Sequence, residues 1–176
     1  MQRPCLAVPA LLISLLAACS PEHNWRQVAF EGATLKSQLP CKPDRTTREV
    51  EMAGLRLQLQ VAGCESGSAV LAVMTTRLPA GADALALLQG WQDATLANMH
   101  AQDVQRQPWL RPQWLPLASA SKVSARGQRA DGQPVSVQAV WGAVAENEQV
   151  RLVHAVVYDR SISSEMAQNL FDGVQP

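Results

Sequence analysis

Apolar and polar residues alternate in several stretches of the chain, with the period of a half-buried β-strand. Residues 50–61 alternate on both sides of a break at Ala53-Gly54. Three later stretches, residues 122–129, 135–144 and 150–158, are separated by the turn sequences Asp131-Gly132 and Glu146-Asn147-Glu148. The pattern predicts a broken strand before the middle of the chain and a three-stranded antiparallel meander after it.

Other segments follow different patterns. Residues 82–99 place apolar side chains three and four apart and predict the main helix, in which Gly90 costs about 1 kcal/mol relative to Ala. A final helix is predicted from an N-cap at Ser163 or Ser164 through Phe171, ending at Gly173. Residues 28–39 predict one or two short strands. Residues 69–75 are apolar on both parities and predict a central strand covered on both faces.

This order of elements predicts an α+β fold, an antiparallel β-sheet with helices packed on its faces. The length of 176 residues suits one folded domain, which we place at residues 28–176. With 15 basic and 15 acidic residues, the chain carries no basic field that would indicate nucleic-acid binding. A hydrophobic content of 47% excludes a disordered chain.

The N-terminus combines Arg3 with an apolar run over residues 5–18, which is too short to span a membrane. The run ends in Leu16-Ala17-Ala18-Cys19, which resembles the lipobox of bacterial lipoproteins. The resemblance implies that residues 1–18 are a cleaved signal peptide and that Cys19 is acylated. Residues 19–27 would then be the lipidated cysteine and a short tether to the bilayer. Ser20 implies sorting to the outer membrane, with the domain facing the periplasm.

Removal of Cys5 with the signal peptide and acylation of Cys19 leave Cys41 and Cys64 as the remaining pair of cysteines. In an oxidising periplasm this pair is expected to form a disulfide. A redox or metal-binding pair is the alternative, but the sequence has neither the Cys-x-x-Cys spacing nor a nearby histidine cluster that would favour it.

The mature chain also carries a family resemblance. It rests on Phe30, Leu39-Pro40 after the first strands, a hairpin around Gly63, and helices from Ala82 and after Tyr158. This order resembles the α/β/α sandwich of PsbP-like proteins, a fold that also occurs in envelope lipoproteins similar to DcrB. The segment 39–43, with Arg48 and Cys64, is similar to uncharacterised proteobacterial lipoproteins. The resemblance implies a fold and a location but no activity.

Residues that would indicate catalysis are scattered. The chain has no Gly-x-Ser-x-Gly elbow, and its three histidines are not spaced with each other or with carboxylates as a metal site requires. Glu146 and Glu148 lie at a turn, where both carboxylates are expected in solvent. His154 lies among apolar residues and is expected to be a satisfied core imidazole. We therefore predict no enzymatic activity, no metal and no cofactor.

Residues 108–117, here called the Trp loop, form the most unusual segment because three prolines interrupt an apolar, Trp-containing sequence. One interpretation is that the loop folds over the sheet or a helix and buries its rings. The other is a contact site for a partner, lipid or ligand. The candidate contact residues are Trp109, Leu110, Arg111, Trp114 and Leu115.

Two functional hypotheses follow. The first is a non-enzymatic envelope lipoprotein that supports or binds another envelope component, and a closed core would favour it. The second is a binder of a small apolar or amphipathic ligand between sheet and helix. A cavity lined by Trp91, Trp109 or Trp114 would favour the second hypothesis.

Overall fold

The computed structural model describes residues 24–176 and contains within them nine strands and two helices. The elements are β1 (Arg26–Ala29), β2 (Lys36–Leu39), β3 (Asp44–Met52), β4 (Leu55–Ser66), β5 (Ala69–Arg77), α1 (Ala84–Asn98), β6 (Gln102–Pro108), β7 (Ser121–Gln128), β8 (Pro134–Glu146), β9 (Gln149–Asp159) and α2 (Ser164–Asp172). The lipobox and Cys19 lie outside the described residues, so acylation stays a prediction.

Seven strands form one antiparallel sheet in the order β3-β4-β5-β9-β8-β7-β6. Strands β1 and β2 pair with each other in a separate two-stranded sheet. The pairing of β5 with β9 joins the two halves of the chain. The predicted antiparallel α+β fold is confirmed, as are the meander β7-β8-β9 and the turn at Ala53-Gly54, where both residues have positive φ.

One local prediction is wrong, and one strand was not predicted. The hairpin turn predicted around Gly63 lies instead at Gly67-Ser68, between β4 and β5. Gly63 lies within β4, because that strand continues to Ser66. Strand β6 was not predicted, since its side chains are polar and almost all exposed at the edge of the sheet and show no alternation.

The register defines two faces of the sheet. Ser121, Trp141 and His154 are neighbours on one face, which we call the α1 face because Trp91 and Gln92 of α1 contact His154 and Ser121. The neighbours Lys122, Val140 and Ala155 belong to the opposite face. There, the Lys122 ammonium lies 5.5 Å from the ring centroid of Phe171 in α2.

The predicted disulfide is confirmed. Cys41, just after β2, is bonded to Cys64 of β4, and their Cα atoms are 6.0 Å apart. The bond links the small β1-β2 sheet to the seven-stranded sheet. None of the helices within residues 24–176 has the length and apolar character needed to cross a membrane.

Candidate functional site

A cleft of about 800 Å³ opens between helix α1 and the sheet, and we call it the α1 cleft. Its apolar lining consists of Val50, Met52, Leu59, Val70, Met74, Leu87, Trp91, Ala94, Met99 and Val135, with small contributions from Ala53, Gly90 and Ala130. Its polar lining consists of Arg48, Glu51, Thr95, Asn98, Gln128, Arg129, His154 and Tyr158. The cleft has the size and mixed lining of a small-molecule binding site.

Helix α1 is held at one side of the cleft by a buried amide. Gln92 donates to the Ser119 carbonyl at 2.5 Å and accepts from the Ser121 hydroxyl at 2.7 Å. At the end of the helix, the N–H of Gln128 donates to the carbonyl of Met99 at 2.8 Å. These bonds fix the helix against β7 and leave its other side over the cleft.

The side of α1 that borders the cleft carries a line of smaller residues beside the larger Leu87 and Trp91. Gly90, Ala94 and Asn98 are four residues apart and therefore follow one line along the helix. A Cβ atom at position 90 would meet nothing within 4 Å. Because Gly90 is exposed and in an ordinary helical region, backbone geometry does not require glycine there. Position 90 therefore has room for a side chain beside the cleft.

Three methionines, Met52, Met74 and Met99, line the cleft from β3, β5 and the end of α1. Methionine side chains are flexible and polarisable, and proteins use them at surfaces that adapt to different apolar ligands. The sequence pattern did not single out these residues, since methionine in a strand or helix resembles ordinary core. Gly90 in the middle of α1 was the one available signal.

His154 forms part of the cleft wall and is completely buried. Its ring stacks on Trp141 with centroids 4.0 Å apart and meets the Trp91 ring edge-on at 5.4 Å. Nδ1 lies 3.2 Å from the Val140 carbonyl oxygen. Burial lowers the pKa of His154 to about 3, although the Val140 carbonyl acts in the other direction, so the ring is neutral near neutral pH. Burial also raises the pKa of Tyr158 in the same cleft.

The predicted core position of His154 is therefore confirmed, but its predicted hydrogen-bond satisfaction is confirmed only for Nδ1. No group within residues 24–176 forms a hydrogen bond with the buried Nε2. His100, in contrast, is exposed just after the end of α1 and does not line the cleft.

Charged residues of both signs, Arg48, Glu51 and Arg129, line the cleft and are exposed. Among the ion pairs of the described residues, none includes Arg48 or Arg129. The cleft thus combines an apolar interior with a charged, solvated rim, which suits a ligand that has both apolar and polar parts.

The Trp loop lies on the opposite face of the sheet. Trp109 and Trp114 are only 7% and 8% exposed, and a Cβ at Gly142 would lie 2.5 Å from the Trp114 ring. Glycine in β8 therefore makes the space into which Trp114 packs. Trp109 meets Phe171 of α2 edge-on, with ring centroids 6.0 Å apart. The two indoles are part of the core rather than the lining of a cavity.

The remaining Trp-loop residues differ in exposure. The Arg111 guanidinium lies 4.1 Å from the Trp109 ring centroid and is bonded to Asp172 at 2.5 Å. Leu115 is half-buried, and its N–H donates to the Ala143 carbonyl. Leu110 is 67% exposed. The five candidate contact residues therefore differ in exposure, from the buried Trp109 and Trp114 to the exposed Leu110. A contact role for them stays a prediction.

A buried ion pair on the opposite face corrects one expectation. Glu146 lies in the interior, where its carboxylate is 2.7 Å from Arg151 and accepts hydrogen bonds from Thr34. Burial alone would raise the pKa of Glu146, but the bonds from Arg151 and Thr34 hold it below its usual value. Arg151 also donates to the Gly32 carbonyl at 2.9 Å. The expectation that Glu146 is solvated is wrong because the β1-β2 connection covers it.

Within residues 24–176, no three or more His, Cys, Asp or Glu side chains come together in a way that could hold a metal ion. Comparison of the sequence with protein-family models and with curated proteins gives no match.

Proposed function

We propose that the protein is a membrane-anchored binding protein of the bacterial envelope that holds a small amphipathic ligand in the α1 cleft. The observation that carries the proposal is the cleft itself, about 800 Å³ of mainly apolar lining between α1 and the sheet. Ligand pockets in proteins are about 300–1,000 Å³ and combine apolar walls with a few polar groups. Of the two hypotheses from the sequence, an open cavity lined by Trp91 favours ligand binding.

The composition of the cleft supports a binding role over a gap in the core. Gly90 lowers the stability of α1 by about 1 kcal/mol relative to Ala, yet its position has room for a side chain. Met52, Met74 and Met99 provide an adaptable lining. If the region contributed only to stability, we would expect larger side chains to fill the cleft.

The proposed location comes from the sequence. Cys19 in the lipobox would be acylated, and two or three acyl chains give lasting attachment to a bilayer. Residues 20–25, which precede β1, span at most roughly 20 Å when extended. The α1 cleft would therefore lie close to the membrane, where amphipathic molecules are concentrated. We also propose that the fold is an α/β/α sandwich similar to that of PsbP-like proteins. The proposed role is non-enzymatic.

Binding is tested by titrating the purified domain with N-phenyl-1-naphthylamine, a neutral probe that fluoresces in apolar surroundings. Substitutions Gly90→Ala, Gly90→Leu and Gly90→Phe add side chains of increasing size to the cleft wall. We expect the affinity to fall in that order while stability does not fall, because position 90 has open space and glycine is the weakest helix former after proline.

Ala97→Phe is the matched control, since Ala97 is an exposed residue of α1 that does not line the cleft. It should bind the probe like the wild type. Absence of probe binding to the wild type, or an equal loss of affinity in Ala97→Phe and Gly90→Phe, would contradict binding in the cleft.

The anchor is tested separately by labelling cells with a radioactive fatty acid. The wild type should incorporate label and Cys19→Ala should not. Equal incorporation by both proteins, or by neither, would contradict the lipidation and the proposed location.

A further inference from the structure

The side chain of His154 is held in one orientation by its surroundings. It projects from β9 onto the α1 face, stacks on Trp141 at 4.0 Å and meets the Trp91 ring in a T-shaped arrangement. Its Nδ1 lies 3.2 Å from the Val140 carbonyl oxygen. A ring packed between two indoles and bonded to the backbone has little freedom to rotate. The direction of its second nitrogen is therefore fixed as well.

The hydrogen bond to Val140 determines which ring nitrogen carries the proton. A carbonyl oxygen can only accept a hydrogen bond, so Nδ1 must be the N–H donor. In a neutral imidazole the other nitrogen is then an acceptor. Burial keeps the ring neutral by lowering its pKa to about 3. Nε2 of His154 thus presents a lone pair at the pH of the envelope.

Among the described residues that line the cleft, His154 has the one buried polar side-chain atom without a hydrogen-bond partner. His154 is 0% exposed and is among the residues that border the α1 cleft. No group among residues 24–176 forms a hydrogen bond with Nε2. A buried acceptor without a partner is costly, so a ligand that supplies a donor at this point gains more than one that does not.

We infer that Nε2 of His154 accepts a hydrogen bond from a hydroxyl group of the bound ligand. The ligand is then an alcohol with an apolar body, whose hydroxyl is buried against His154 while the body contacts Trp91 and the methionine side chains of the cleft. This inference rests on the proposed function and specifies the class of molecule that the cleft selects.

The experiment compares 2-naphthol with naphthalene, which share a ring system and differ by one hydroxyl. Both are titrated into the wild-type domain near neutral pH and followed by probe fluorescence. Since a net hydrogen bond changes an equilibrium about 5- to 10-fold, we expect 2-naphthol to bind tighter by about that factor. In His154→Phe the order should reverse, because a hydroxyl in an apolar cleft without an acceptor is penalised.

A second measurement follows the acceptor atom directly and does not depend on the variant folding. In wild-type protein labelled with ¹⁵N-histidine, 2-naphthol should move the Nε2 resonance of His154 toward that of a hydrogen-bonded nitrogen. Naphthalene should leave it in place. His100→Gln, which changes an exposed histidine outside the cleft, assists the assignment.

The outcomes separate the two proposals. Equal affinity for the two compounds, or an unmoved Nε2 resonance on binding of 2-naphthol, would overturn the role of His154 and leave cleft binding intact. Failure of both compounds and of N-phenyl-1-naphthylamine to bind would overturn the proposed function as well.

Discussion

Apolar residues on the two faces of the seven-stranded sheet are covered in different ways. On the opposite face, Trp114 packs into the space left by Gly142, and the buried charges of Glu146 and Arg151 are paired. On the α1 face, the helix leaves a cleft bordered by His154. In the described part of the chain, buried side-chain nitrogens without a protein partner occur on both faces, Nε2 of His154 on the α1 face and Nε1 of Trp109 on the other. The contrast supports the proposal that the α1 face binds a ligand, whereas the opposite face is closely packed.

The largest expected effect is on the opposite face. Trp114→Ala should lower the free energy of unfolding by about 3–5 kcal/mol, because it removes a buried ring and leaves a cavity over Gly142. Leu110→Ala, in the same loop but 67% exposed, should change it by no more than about 0.5 kcal/mol. Urea denaturation measures both. A small effect of Trp114→Ala would show that the loop is not part of the stabilising core.

The disulfide should have the next largest effect. Closing a loop with a sequence separation of 23 residues stabilises a fold by about 3 kcal/mol on the chain-entropy model. We expect the double variant Cys41→Ala with Cys64→Ala to lose about this amount in thermal or urea unfolding. Chemical reduction of the wild type is the matched comparison and should give a similar loss. Unchanged stability in both would mean that the β1-β2 sheet is held by its other contacts.

The smallest effect concerns the α1 face and depends on pH. The pKa of His154 is lowered to about 3 in the folded protein, against 6.5 for an ordinary histidine. Between these values the unfolded chain binds a proton that the folded protein does not, so stability falls as the pH drops below 6.5. The limiting slope is about 1.4 kcal/mol per pH unit.

His154→Phe should remove this contribution and flatten the slope between about pH 6.5 and pH 5 in urea denaturation. Glu146 and Asp172 titrate below this window, because hydrogen bonds from arginine and other side chains outweigh burial and lower their pKa values. Identical slopes in the two proteins would contradict the buried, neutral state of His154.

The sequence predicted the elements whose pattern is local. The meander, both helices and the caps at Ser163 and Gly173 have clear periods or end signals, and the structure contains them. Strand β6 lacked a pattern because its side chains are almost all exposed. The pairing of β5 with β9 is long-range and leaves no trace in either strand alone.

The α1 cleft could not be predicted for a related reason. A space between elements depends on how far a helix stands from a sheet, and no local period reports that distance. His154 was assigned to the core from its apolar neighbours, but no sequence pattern indicates that one of its nitrogens lacks a partner. Gly90, which weakens a helix without being required by its backbone geometry, was the only local sign of an opening.

The most direct test of the difference between the faces is a map of where a ligand binds. Amide chemical shifts of the ¹⁵N-labelled domain should be recorded while N-phenyl-1-naphthylamine is added. We expect the changes to concentrate on α1 and on the strand residues of the α1 cleft, around Met74 and His154, with residues 108–117 of the Trp loop unaffected. Changes confined to the Trp loop and α2, or none at saturating probe, would contradict the assignment of binding to the α1 face.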